Sequence, residues 1–275
     1  MRKWIDLNSD MGESFGNYVL GRPDEVMKQI NHANIACGFH AGDPVWIRRT
    51  VEAAKRFGVT LGAHPGFPDK LGFGRRLMNI TQQEARDYVV YQVGAVKAFA
   101  DAAGVPLIAA KPHGAFYLWA QQSEENSRAI LEGFREVDPD FVAYLPALPR
   151  HPMLAVAEKM GFRVIKEFYP GLVYADDGSI GVKRTYGEEN VEEMVGLVMK
   201  FVTEGTVKGA SGKEIKVDAD SICVHGDVIN APEVLTALHK ALKEAGVAAR
   251  SAVEDLVAKG KGKGNGRAHA APAHA

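Results

Sequence analysis

Seven short apolar runs punctuate this chain, at Trp4–Leu7, Ala33–Cys37, Thr60–Ala63, Leu107–Ala110, Val142–Leu145, Arg163–Ile165 and Ser221–Val224, each with the length and content of a buried parallel strand. Helix-like stretches separate most of them, among these Pro44–Phe57, Gln82–Ala103, Glu124–Glu136, Met153–Met160 and Glu188–Thr203. Strands alternating with helices imply a parallel sheet with helical crossovers, and a count near seven or eight favours a closed β/α barrel over an open doubly wound sheet. Nothing within the 275 residues resembles a linker, so one barrel domain over residues 1–250 is expected. Asp43 before Pro44 reads as a helix N-cap, and Asn230 with Glu233 three residues on reads as a capping box. TVKGASGKEIKV, at about 205–218, has two β-prone arms around a Gly/Ser turn and reads as a hairpin insertion. The tail from Lys259 to the end, KGKGKGNGRAHAAPAHA, has nothing to bury and is expected to be disordered.

Four histidines, His40, His64, His113 and His225, stand within a few residues of the C-terminal end of such a run, in ANIACGFHAGDP, TLGAHPGFPD, IAAKPHGAFY and SICVHGDV. α/β folds keep catalytic side chains in the loops that follow their strands. A single histidine so placed is as readily a core residue as a catalytic one; four at the same strand end read as one polar site of an enzyme. The first run leads into DLNSDMGES, where Asp6, Asn8 and Asp10 share one side of an extended strand. If that side is the barrel interior, two carboxylates and an amide enter the site together, suited to metal binding or general base catalysis; the plainer alternative is a solvated turn.

Lys111 emerges from an Ile/Ala run and requires an anion when buried, either a substrate carboxylate or phosphate or an acid such as Asp10. Asp227, in HGDV, has no capping duty if Asn230 caps the next helix. Arg75 and Arg76 follow the glycine-punctuated DKLGFG, whose backbone could approach an anion closely, or they are solvated surface arginines. The chain contains neither a P-loop string nor a G-x-S-x-G elbow, so water activated by a metal or directed at a phosphorylated group is the remaining chemistry. With 33 Lys+Arg against 34 Asp+Glu, nucleic acid is not an expected partner. Cys37 and Cys223 lie in apolar runs and read as small hydrophobes in a reduced, cytoplasmic protein, and no run approaches the roughly 20 residues that span a bilayer.

Taken in order, DLNSDMGESFG, NIACGFHAGDP, GAHPGFPD, GFGRR, KPHGAFY, the Asp177-Gly178 pair and ICVHGD resemble the LamB/YcsF family over about residues 4–250. The resemblance implies a single-domain, seven-stranded β/α barrel of the glycoside hydrolase/deacetylase type. It also implies ATP-driven hydrolysis of a lactam, 5-oxo-L-proline, to L-glutamate together with two further subunits, B and C. One segment departs. Where the family carries Glu-Val-Phe-Ala-Asp-Arg, this chain has EFYPGLVYADDGSIGVKR, keeping Glu167, Tyr174, Asp177 and Arg184 but replacing the Asp-Arg pair around Pro170 and Gly171.

Within that frame Asp10 is expected to activate water, and Lys111 and Arg76 to hold phosphate or carboxylate oxygens. His40, His64 and His113 are expected to place a divalent metal or protonate the departing nitrogen. The metal, magnesium or else zinc or manganese, is expected on Asp10, His40 and His64. Asn8, Arg75, Asp177, His225 and Asp227 complete the expected substrate or phosphate contacts, and a homo-oligomer is compatible with the chain. Two other readings compete: an ATP-independent, metal-dependent hydrolase or deacetylase on the same barrel, and a non-catalytic subunit that binds substrate for a partner.

Overall fold

In a computed structural model, which describes residues 2–148, 151–176, 180 and 187–261, the seven expected runs are strands of one closed parallel barrel. In chain order the strands are β1 (Trp4–Met11), β2 (His32–Ala36), β3 (Thr60–His64), β4 (Leu107–Ala110), β5 (Val142–Pro146) and β6 (Arg163–Phe168), followed by a two-stranded hairpin of β7 (Thr206–Lys208) and β8 (Glu214–Lys216), then β9 (Ser221–Cys223) and the short β10 (Ala248–Ala249). Strands β1 to β6 pair successively, β9 pairs with both β6 and β1 to close the ring, and β10 adds to β1 outside it. The hairpin falls inside the expected insertion.

The barrel separates residue types by strand alternation. Ile5, Leu7, Ala33, Ile35, Leu61 and Ala63 face outward into one large apolar layer shared with the surrounding helices. The interior is polar instead of filled with aliphatic layers. Asn8 Nδ2 donates to Ser221 Oγ (2.7 Å) and Asn34 Nδ2 donates to Asn8 Oδ1 (2.9 Å), while His32 stacks on Tyr144 with ring centroids 4.4 Å apart. Gly62 makes room for this column, since a Cβ there would stand 2.6 Å from His32 Nε2. Beneath it, Ala252 and Val253 of the last helix (Ala252–Lys261) pack with Ala109, Val142, Tyr144 and Ile165 and plug the barrel's lower end.

Helix starts follow the sequence in part. The Asp43 carboxylate accepts from Val45 N and Trp46 N, as expected of a cap. Asn230 does not cap its helix. Its side chain bonds both ways to the Glu189 backbone, and Glu233 pairs with Arg22; the reciprocal box is at Thr81 and Glu84 instead. The last helix extends past residue 250 to Lys261, and residues 262–275 of the tail lie outside the described residues.

Candidate functional site

Every barrel strand points its C-terminal end at one cluster. Lys111, just past β4 and 1% exposed, donates from Nζ to Asp10 Oδ1 on β1 (2.8 Å), Glu167 Oε1 on β6 (2.9 Å) and Cys223 Sγ on β9 (3.4 Å). Those three acceptors use its three donors, so Lys111 here organises the carboxylates at the floor of the site. Burial alone would lower its pKa, but Asp10, Cys223 and Glu167 hold it well above the usual lysine value. Burial would likewise raise Asp10, yet His64 and Lys111 hold it well below the usual carboxylate range. Asn34 Nδ2 also donates to Asp10 Oδ1 (3.1 Å) and fixes the carboxylate from below. Cys223 therefore belongs to the polar interior and is not the apolar filler its flanking residues implied.

The histidines form a second, adjoining group. His64 Nδ1 lies 2.8 Å from the Lys111 carbonyl, and its Nε2 lies 3.3 Å from Asp10 Oδ2 and 3.0 Å from His113 Nδ1. His113 Nε2 lies 2.7 Å from the carbonyl of Phe73, a residue in left-handed conformation (φ 54°) that aims that oxygen inward. His40 stacks on His113 with centroids 3.7 Å apart, and Glu13 Oε1 reaches to 3.4 Å from His40 Nε2 and 3.7 Å from His113 Nδ1. Glu13, His40, His64 and His113 are all buried and offer ligand atoms within 4.8 Å of one another, a set able to hold a metal ion. Burial, and beyond it His64 for His40 and His40 for His113, depresses both imidazoles well below the ordinary value and keeps them neutral. Burial, reinforced by Asp227 and Asp10, raises Glu13 well above the usual range.

A cavity of about 70 Å³ opens above this floor. Asp10, His64, Lys111, His113 and His225 line its polar side; Pro146, Leu148, Leu172 and Tyr169 line the opposite wall. The segment that departs from the family pattern thus folds into the site through Tyr169 and Leu172. His225 Nδ1 stands 3.7 Å from Asp10 Oδ2, and burial pushes the imidazole down to about 3. Arg75 also borders the cavity, 3.6 Å from Asp227, whose carboxyl burial lifts to about 6 against the pull of that guanidinium.

Of the expected site residues that are described, His40 and Asp227 adjoin the cavity through His113 and Arg75 without lining it, and Arg76 and Asn8 are engaged elsewhere. Arg76 is turned to the surface and its guanidinium Nε binds Asp69 (2.9 and 3.0 Å), a pairing that closes the loop. Asn8 sits a layer below, engaged by Ser221 and Asn34, and Asp177 lies outside the described residues. Sequence reasoning did not single out Asn34, Phe73 or the cavity-lining His151, whose Nδ1 accepts from Met153 N. Asn34 shares the inward side of its strand with His32, and that alternation was the available signal.

The chain matches the LamB/YcsF family over residues 5–257. It is 46% identical over 245 residues to the A subunit of 5-oxoprolinase from Thermococcus sibiricus, covering 88% of this chain and 95% of that protein. It is 45% identical over the same length to the corresponding 5-oxoprolinase chain of Pyrococcus abyssi, with the same coverage. Among solved structures, a lactam utilization protein from Thermus thermophilus superposes with a TM-score of 0.82 at 40% identity, covering 90% of this chain and 99% of that one.

Proposed function

The chain belongs to the LamB/YcsF family, and from that premise we propose that it is the A subunit of an ATP-dependent 5-oxoprolinase, opening 5-oxo-L-proline to L-glutamate. The observation that carries the reading is Asp10, held ionised by Lys111 and opening onto a small cavity with one apolar wall. An unstrained five-membered lactam resists water. Transfer of the γ-phosphoryl group of ATP to its carbonyl oxygen activates the carbon, so water can add there and the C–N bond can break as nitrogen takes a proton, leaving γ-glutamyl phosphate, from which a second water releases phosphate and glutamate. Asp10 takes the proton from the attacking water and, as a carboxyl that releases protons readily, passes it to the departing nitrogen. Arg75 and His225 flank the cavity as contacts for the substrate carboxylate or the phosphate.

A cavity of about 70 Å³ suits a lactam better than a nucleoside triphosphate, which favours ATP and its magnesium bound by partner subunits B and C. A reduced cytoplasm fits the two free, buried cysteines, and among the described residues no helix is long and apolar enough to cross a membrane. The test is glutamate formation from 5-oxoproline with ATP and magnesium, by this chain alone and mixed with its partner subunits. Glutamate made only in the mixture and abolished by Asp10→Asn is the expected result. No glutamate in the mixture refutes the substrate assignment. Glutamate made without ATP would support the metal-dependent hydrolase, the reading that the three-histidine cluster favours.

A further inference from the structure

We propose that Glu13, His40, His64 and His113 bind one transition-metal ion of the zinc or cobalt(II) type, and that Asp10 lies outside its ligand set. The directions of the hydrogen bonds point to it. A carbonyl oxygen only accepts, so His64 must donate from Nδ1 to the Lys111 carbonyl, and His113 must donate from Nε2 to the Phe73 carbonyl. In neutral rings the lone pairs then sit on His64 Nε2 and His113 Nδ1, which face each other at 3.0 Å. Two acceptors at that distance repel unless an electrophile sits beside both. Neither ring nitrogen of the fully buried His40 has a hydrogen-bond partner among the described residues, and its Nε2 faces Glu13 Oε1 at 3.4 Å.

One cation answers both the facing lone pairs and the unpartnered His40 Nε2 beside Glu13. Ligands bound tetrahedrally at about 2.0–2.1 Å stand roughly 3.3 Å from one another; the separations here are 3.0, 3.4 and 3.7 Å. Metal-bound histidines characteristically donate their other N–H to a carbonyl, which orients the ring, and His64 and His113 both do so. Three imidazoles and one carboxylate select zinc, cobalt(II) or a neighbour over magnesium, which requires an oxygen shell. Asp10 has a different cation, the Lys111 ammonium, on Oδ1. That arrangement departs from the expected set of Asp10, His40 and His64 and leaves Asp10 Oδ2 on the cavity side. The competing occupant is a proton, which would make His64 an imidazolium between Asp10 and His113.

Nothing in this site depends on the lactam assignment, and the test reads metal content and spectrum without turnover. Full-length chain, stripped with chelator, is titrated with Co2+ alone. The expected result is one equivalent bound with the intense visible bands of four-coordinate cobalt. His40→Ala and the nearly isosteric Glu13→Gln should each weaken binding by ~100-fold or more, with circular dichroism confirming the fold, whereas Asp10→Asn should bind within about threefold of wild type, a shift worth under 1 kcal/mol. Folded wild-type chain that takes up no stoichiometric cobalt overturns the proposal, as does an Asp10→Asn chain that loses cobalt as completely as Glu13→Gln.

Discussion

Replacing Lys111 by Met tests the charge arrangement at the floor of the site. Met follows the aliphatic stem of lysine closely, so the substitution removes charge with little change in packing. It leaves Asp10 and Glu167, both buried and 2.8 and 2.9 Å from the lost ammonium, without their shared cation. Removing one partner of a buried ion pair costs about 3–5 kcal/mol, and at roughly 2–4 °C per kcal/mol for a domain of this size the melting temperature should fall by about 6–20 °C. The loss depends on pH. In wild type Asp10 is held below its unfolded pKa, so its contribution is present above that value and lost as pH falls. In the variant, Asp10 is buried without that ammonium and favours a proton, so the variant's stability is greatest in acid and declines as pH rises. The gap between the proteins, read from urea unfolding, should therefore be widest near ~pH 8 and less than half as large near ~pH 5. A gap below about 1 kcal/mol at the higher pH, or one of equal size at both, would refute the view that the Lys111 ammonium helps keep Asp10 ionised.

Two further perturbations probe the frame around the site. Burial pushes Asp6 up from 3.8 to about 7 in the folded chain. Its stabilising share is therefore complete below its unfolded pKa and lost as pH rises through about 7. Asp6→Asn should flatten that slope, removing a decline of at most about 4 kcal/mol in urea-derived stability between ~pH 4 and ~pH 8; an unchanged slope counts against Asp6 as its source. Gly74→Ala places a methyl at a φ of +64°, 2.6 Å from His40 Cβ and 2.7 Å from His113 Cδ2. It should cost at least about 1–2 kcal/mol from the left-handed backbone alone and weaken cobalt binding by shifting both rings, whereas normal stability and binding would show that the rings are not held there by close packing.

Legibility in the sequence follows the chemistry of the barrel's two faces. β4 is legible to the residue because LIAA is apolar on both sides. β1 runs to Met11 and not Leu7, and β6 to Phe168 and not Ile165, because each continues through inward polar residues, Asn8 and Asp10 in one and Glu167 in the other. A search for apolar runs stops where the interior turns polar, and that is where the site begins. The histidines are visible because strand ends are special positions in any β/α fold. Arg76 escapes such reasoning because its partner, Asp69, is set by a loop closure that no periodicity encodes. Choosing between Asp10 and the pair Glu13 and His113 as metal ligands is a matter of tautomers, which depend on where the Phe73 and Lys111 carbonyls point.

The polar column also bears on how the site stays rigid. Ser221 donates to Asp6, Asn8 to Ser221 and Asn34 to both Asn8 and Asp10, so a continuous line of side-chain bonds joins the barrel's lower end to the carboxylate at its mouth. Buried groups of this kind are costly when any partner is missing, and each strand that contributes one is thereby fixed in register against its neighbour. The aliphatic core can then be displaced to the layer between barrel and helices without loosening the interior. Asp10 is positioned by three strands through this line and through Lys111, and the loops above it are left to shape the cavity.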